Sequence, residues 1–244
     1  MRRYVFQGVS MNCWICGNIA NSGEHMIKAS DLRLFFPDLS QKNPILHKTD
    51  NGKVSKEIGT AKSKYLHYSS KICVHCNNVT TSKHDKSWSV LSNFLYENPR
   101  LQELCFEDVW GDEYRQNMLN VHLYFVKQLG CAIESCQTLQ SPIPLKTECF
   151  AESILKGIGN RNILLSFHNT EHQKYTALSD LWVEYHPKTG NVTYCCFFYI
   201  IGNYAVKIAY VSFDMIYRGM DQAWLPYHNG KGINKIKIQR FTKK

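Results

Sequence analysis

No stretch of this sequence approaches the ~20 consecutive apolar residues needed to cross a bilayer. The two arginines of the opening MRRYVFQGVS are not followed by the apolar segment of a secretory leader. Together these absences set the expectation of a cytoplasmic chain with no membrane attachment, with Met11 as an alternative start. Low-complexity tracts are missing, as are internal repeats with a period of about 20 to 50 residues, which argues against a solenoid. Acidic residues are scarce: 20 Asp and Glu stand against 29 Lys and Arg, for a formal net charge of +9. That surplus favours a polyanionic partner such as nucleic acid and is silent on catalysis. The second half also lacks a nucleotide-binding glycine loop and a paired-carboxylate motif.

Cysteine, by contrast, is plentiful. Ten are many for a cytosolic chain, where disulfides are rare and spaced pairs more often bind metal. Four of them are organised as Cys13-x-x-Cys16 and Cys73-x-x-Cys76. The other six (Cys105, Cys131, Cys136, Cys149, Cys195, Cys196) show no ligand spacing and read as structural. Two knuckles offering four thiolates to one tetrahedral ion form the pattern of a structural Zn²⁺. The bland alternative is two knuckles lying apart with free thiols.

At 244 residues the chain has room for a small metal-stabilised module and a second domain. The expected fold class is α+β. A zinc-stabilised treble-clef module occupies 1–98, a helical connector 99–136 and a β-rich domain 148–244, with the boundary in 137–147 at QTLQSPIPLKT. Within the module, KASDLRLFF reads as a helix capped at Ser30 or Asp31 and closed before Pro37. Residues 40–64 are polar, with Asn51-Gly52 among them. From Lys28 to Lys71 nine Lys or Arg face four Asp or Glu, marking a basic and mobile insertion. A second helix opens near Cys76, aligns Trp88, Leu91, Phe94 and Leu95 on one face, and stops at Asn98-Pro99. A third covers DEYRQNMLNVHLYFVKQLGCAIES. Beyond it, NILLSFHN, the stretch from Leu181 to Phe213 and NKIKIQRF are rich in β-branched and aromatic residues and read as a meander. Turns fall at 188–191 and at Gly202-Asn203.

Glu24-His25 follows the first knuckle by eight residues and precedes MIK, and the second knuckle runs directly into Asn77-Asn78. An acid-His dipeptide alone reads as a solvated charge pair. In the order CWIC, EHMIK, CVHCNN, the sequence resembles the HNH (ββα-metal) endonuclease family over residues 13 to about 90. The resemblance implies that His25 is a general base, that Glu24 and Asn77 hold a catalytic ion, and that DNA phosphodiester hydrolysis leaves 5′-phosphate and 3′-hydroxyl ends. A near-neutral imidazole can take a proton from water, and oxygen ligands suit Mg²⁺ or Mn²⁺. Lys28 stands where the family has Pro, and the middle Asn is replaced by a choice of His67, Ser69 or Ser70. Thr81 stands where a ligand is usual, which makes His84 a further candidate ligand, with Asp85 beside it.

Candidate phosphate contacts are Lys28, Lys71, Lys83, Lys235 and Lys237. In the tail, Lys235 and Lys237 would share one strand face and Ile236 and Ile238 the other. Its alternative role is an edge strand blocked by lysines. Tyr175, Trp182, Tyr185, Trp224 and Tyr227 are either base-stacking residues or, as expected of a β-rich domain, core. His168, Asn169 and His172 spell H-N-H in SFHNTEH without a knuckle or helix to organise them, and read as a strand-to-loop turn.

Restriction, anti-phage defence and mobile elements are the settings that the resemblance implies. Two rival readings remain: a non-catalytic zinc module that binds nucleic acid, and a partner-docking subunit of a toxin or defence complex. A homodimer or a co-encoded protein is the expected protein partner.

Overall fold

Both cysteine pairs run into the same small hairpin. The computed structural model describes residues 12–48, 54–137, 142–170, 176–212, 223–226 and 234–241. After the Cys13–Cys16 turn come β1 (Ser22–His25), α1 (Ala29–Phe35) and a hairpin of β2 (Ile45–Lys48) and β3 (Val54–Ile58). Then β4 (His67–Ile72) returns antiparallel to β1 and continues directly into Cys73. Gly17, at φ +78°, takes the left-handed conformation that lets the chain leave the first knuckle in a tight turn. Part of the expected basic insertion is therefore ordered as the β2–β3 hairpin, while Asn51-Gly52 lies outside the described residues.

Cys76–Thr80 forms one π-helical turn before α2 (Ser82–Glu97) begins. The β-branched run Val79-Thr80-Thr81 is weak for an α-helix. Here both the amide and the hydroxyl of Thr81 bond to the Cys76 carbonyl, at 3.1 and 3.0 Å. The expected apolar face is present: Trp88, Leu91 and Leu95 are fully buried and Phe94 is partly so.

Asp31 does not cap α1. Lys28 flanks that helix, and Asp31 is buried, accepting hydrogen bonds from Trp88 Nε1 (2.8 Å), Ser92 Oγ (2.9 Å) and Tyr199 Oη (2.7 Å). Three donors from two distant parts of the chain outweigh the single bond a cap would offer. Burial still pushes its carboxyl above the usual range, with the three donors opposing. Asp31→Ala would leave those donors unpaired, and we expect urea unfolding to show a loss of roughly 3 kcal/mol or more. An unchanged midpoint would mean the network is idle.

Next come β5 (Glu103–Cys105), α3 (Phe106–Trp110), α4 (Tyr114–Gln137) and α5 (Glu148–Lys156). The α4 helix is central to the molecule: α2, α3, α5 and β4 all pack on it. Trp14, between the first two cysteines, lies so close to Gly130 that a Cβ there would stand 2.4 Å from the indole. Glycine is what allows the knuckle to lie on the helix.

The remaining strands are β6 (Ile163–Asn169), β7 (Thr176–Leu178), β8 (Trp182–Tyr185), β9 (Val192–Ile201), β10 (Tyr204–Val211), β11 (Lys235–Lys237) and β12 (Gln239–Arg240). One six-stranded sheet runs β12-β6-β10-β9-β7, with β8 beside β7 on the same edge of β9. All its pairings are antiparallel except β12 with β6. Ile163, Leu165 and Phe167 join the main core, whereas Leu164 packs in a small cluster on the opposite face. That main core is continuous from Cys13 through α4 to Ile238. β11 pairs with β5, exposing Lys235 and Lys237 and burying Ile236, as its alternation predicts. Trp182 and Tyr185 are exposed on β8 and Trp224 is buried; Tyr175, Tyr227 and His172 lie outside the described residues. No helix among the described residues is long and apolar enough to cross a membrane.

Candidate active site

The sulfur atoms of Cys13, Cys16, Cys73 and Cys76 lie within 4.8 Å of one another. Cys16 and Cys73 are 3.5 Å apart, and the Cys76 amide donates to the Cys73 sulfur at 3.2 Å. Ligands at Zn–S distances around a tetrahedral zinc stand about 3.8 Å apart, so this cluster could hold such an ion with small adjustments. Of the six other cysteines none joins the group.

His25 ends β1 opposite His67 of β4, their ring centroids 4.0 Å apart. The ladder is irregular here: Gly23 faces Lys71 and His25 faces His67, so β4 spends two extra residues on the same step. Such bulges re-aim side chains. The extra stretch docks on α4, with Tyr68 Oη donating to Gln128 Oε1 (3.0 Å) and Ser70 Oγ to the Cys131 carbonyl (2.9 Å). His25 itself is half-buried, and its Nε2 donates to the Ala61 carbonyl at 3.2 Å. That bond places the proton on Nε2 and leaves Nδ1 as the acceptor. Burial, followed by the neighbouring His67, holds the imidazole below its usual pKa, so its neutral form prevails at neutral pH.

Glu24 points the other way, into the interior, where Lys127 Nζ and Gln128 Nε2 each lie 3.0 Å from its Oε1. Gln128 also donates to the His25 carbonyl at 3.3 Å, so one side chain of α4 ties both strands of the hairpin. Lys127, with no exposed surface, bonds in addition to both oxygens of Asp85 (3.0 and 3.2 Å) and to Thr81 Oγ1 (3.3 Å). Burial alone would lower the ammonium's pKa; the two carboxylates more than reverse this and keep it charged.

Asn77 spends its amide nitrogen on Ser22 Oγ (2.9 Å) and the Gly23 carbonyl (3.3 Å), bolting the start of the helix to β1 and leaving its amide oxygen as a donor for a cation. Glu24 and Asn77 thus offer oxygen, which suits a hard divalent ion, although Lys127 stands beside the carboxylate. His84 is buried on α2, and neither ring nitrogen has a hydrogen-bond partner among the described residues. The structure brings Glu24 together with Lys127, Gln128 and Asp85, and brings Asn77 together with β1. Lys28 is turned inward: its ammonium bonds to the Asp85 carbonyl, and its amide donates to Tyr199 Oη at 2.8 Å. Lys71, Lys83, Lys235 and Lys237 are exposed, and Lys235 pairs with Glu103 at 3.2 Å.

Lys127 and Gln128 are the site residues that motif reading missed. Their signal was a polar pair inside the apolar run LYFVKQL, on a helix whose burial the sequence alone did not reveal. Comparisons of the chain with protein-family models, with curated proteins and with solved structures give no match.

Proposed function

We propose that this chain is a zinc-stabilised endonuclease of the HNH (ββα-metal) kind that hydrolyses DNA phosphodiester bonds. The observation that carries the reading is the position of His25. It sits in a hairpin whose two ends run into the two cysteine pairs, with the helix that follows Cys76 fastened to the same strand by Asn77. Zinc at the four cysteines would lock hairpin and helix into one treble-clef unit.

In this reading His25 is the general base. Its Nε2 proton is held by Ala61, so Nδ1 takes the proton of the attacking water. Gln128 fixes the strand through the His25 carbonyl, and His67 limits the swing of the imidazole. Glu24 and the Asn77 amide oxygen are the groups that would hold Mg²⁺ or Mn²⁺. When bound, such an ion supplies positive charge to the phosphate and the leaving oxygen. Exposed Lys71, Lys83, Lys235 and Lys237 supply phosphate contacts, so binding weakens steeply with salt. A homodimer would be needed to cut both strands symmetrically.

A second reading draws on the burial of Glu24 against Lys127, which suits a non-catalytic zinc module that binds nucleic acid. Trp182 and Tyr185, exposed on β8, favour a partner-docking variant of it, within a toxin or defence complex. The test is a labelled DNA duplex incubated with zinc-loaded protein in Mg²⁺ or Mn²⁺. The nuclease reading expects products with 5′-phosphate and 3′-hydroxyl ends. Salt-dependent binding with no scission in either ion supports the second reading.

A further inference from the structure

No part of the HNH motif accounts for Lys127. It comes from α4, outside the resemblance, and has no exposed surface. Taking an ammonium wholly out of water is costly unless every proton finds a partner. Here the three protons meet Glu24 at 3.0 Å, Asp85 at 3.0 Å and Thr81 at 3.3 Å. None remains for a phosphate, so Lys127 is not a substrate-binding residue. The groups it joins belong to three elements: β1, α2 with its approach, and α4.

We propose that Lys127 is the tethered cation of the Glu24–Asp85 pair and acts as a positioning residue. It pins the Glu24 carboxylate between α2 and α4, and any divalent ion taken up at Glu24 binds against its charge. The inference rests on the nuclease reading only in taking Glu24 as an ion ligand. A merely structural lysine would change stability when replaced and leave ion affinity alone.

The experiment titrates Mn²⁺ into the zinc-loaded full chain, following free Mn²⁺ by electron paramagnetic resonance and the melting temperature in parallel. Wild type is compared with Lys127→Met. Removing a unit charge 3.0 Å from a ligand oxygen should tighten Mn²⁺ binding at least about tenfold. Mn²⁺ should then raise the variant's melting temperature at concentrations that leave wild type unmoved. In cleavage, the half-saturating Mn²⁺ concentration should fall while turnover at saturation drops, because Glu24 has lost its anchor. Unchanged or weaker Mn²⁺ binding overturns the proposal. Should the Met variant fail to fold, Lys127→Gln keeps hydrogen-bond donors, removes the charge and carries the same expectation. Should both fail, Asp85→Asn is read in the opposite sense: Mn²⁺ binding several-fold weaker supports the proposal, and unchanged binding overturns it. If no protein cleaves DNA but the Mn²⁺ shift is present, the nuclease reading fails and the assignment of Lys127 stands.

Discussion

Replacing Cys76 with serine is expected to strip the chain of zinc and unfold its first hundred residues. The reason lies in how little else closes this region. The strands β1 and β4 have four and six residues, and a lone two-stranded hairpin is marginal in water. The four sulfurs join both ends of that hairpin to the start of α2. Structural zinc in finger peptides contributes roughly 10 kcal/mol or more, which exceeds what packing against α4 could replace. We expect metal analysis to find about one zinc per chain in wild type and none in the variant. Circular dichroism should show loss of ordered structure, and a chelator should do the same to wild type over time. Equal melting temperatures with and without zinc would mean that the cysteines are free thiols packed as small apolar groups.

The second large effect concerns function. His25→Ala should lower DNA cleavage by about 10²- to 10⁴-fold, the range usual for losing a general base. It should leave zinc content and melting temperature nearly unchanged, because the ring is half-buried and its one side-chain hydrogen bond is to the Ala61 carbonyl. DNA affinity should also persist, since the charge that attracts phosphates is on the lysines. A variant that binds weakly in proportion to its lost cleavage would make His25 a binding residue.

These two sites were legible in the sequence to different degrees. The four cysteines were readable because their spacing is local and their chemistry allows few alternatives. Their convergence across 56 intervening residues is what the structure adds. Helix α2 and the alternation of β11 followed from periodicity, since one face of each is buried. What failed was local reasoning about polar residues. Asp31 has the spacing of a helix cap, yet its partners Trp88, Ser92 and Tyr199 are distant in sequence and recruit it into the core. Glu24 looked like a free acid beside its histidine, and only the docking of α4 brings Lys127 and Gln128 to it. The exposure of Trp182 and Tyr185 was hidden for a similar reason: their strand lies on the edge of the sheet, and edge position is set by topology.

The most direct test of the account is supercoiled plasmid incubated with Mg²⁺ or Mn²⁺ and zinc-loaded wild type, beside His25→Ala shown to keep its zinc and its fold. The account predicts metal-dependent nicking or linearisation by wild type and almost none by the variant. Equal cleavage by both proteins, or none by either while both bind the plasmid, would contradict it.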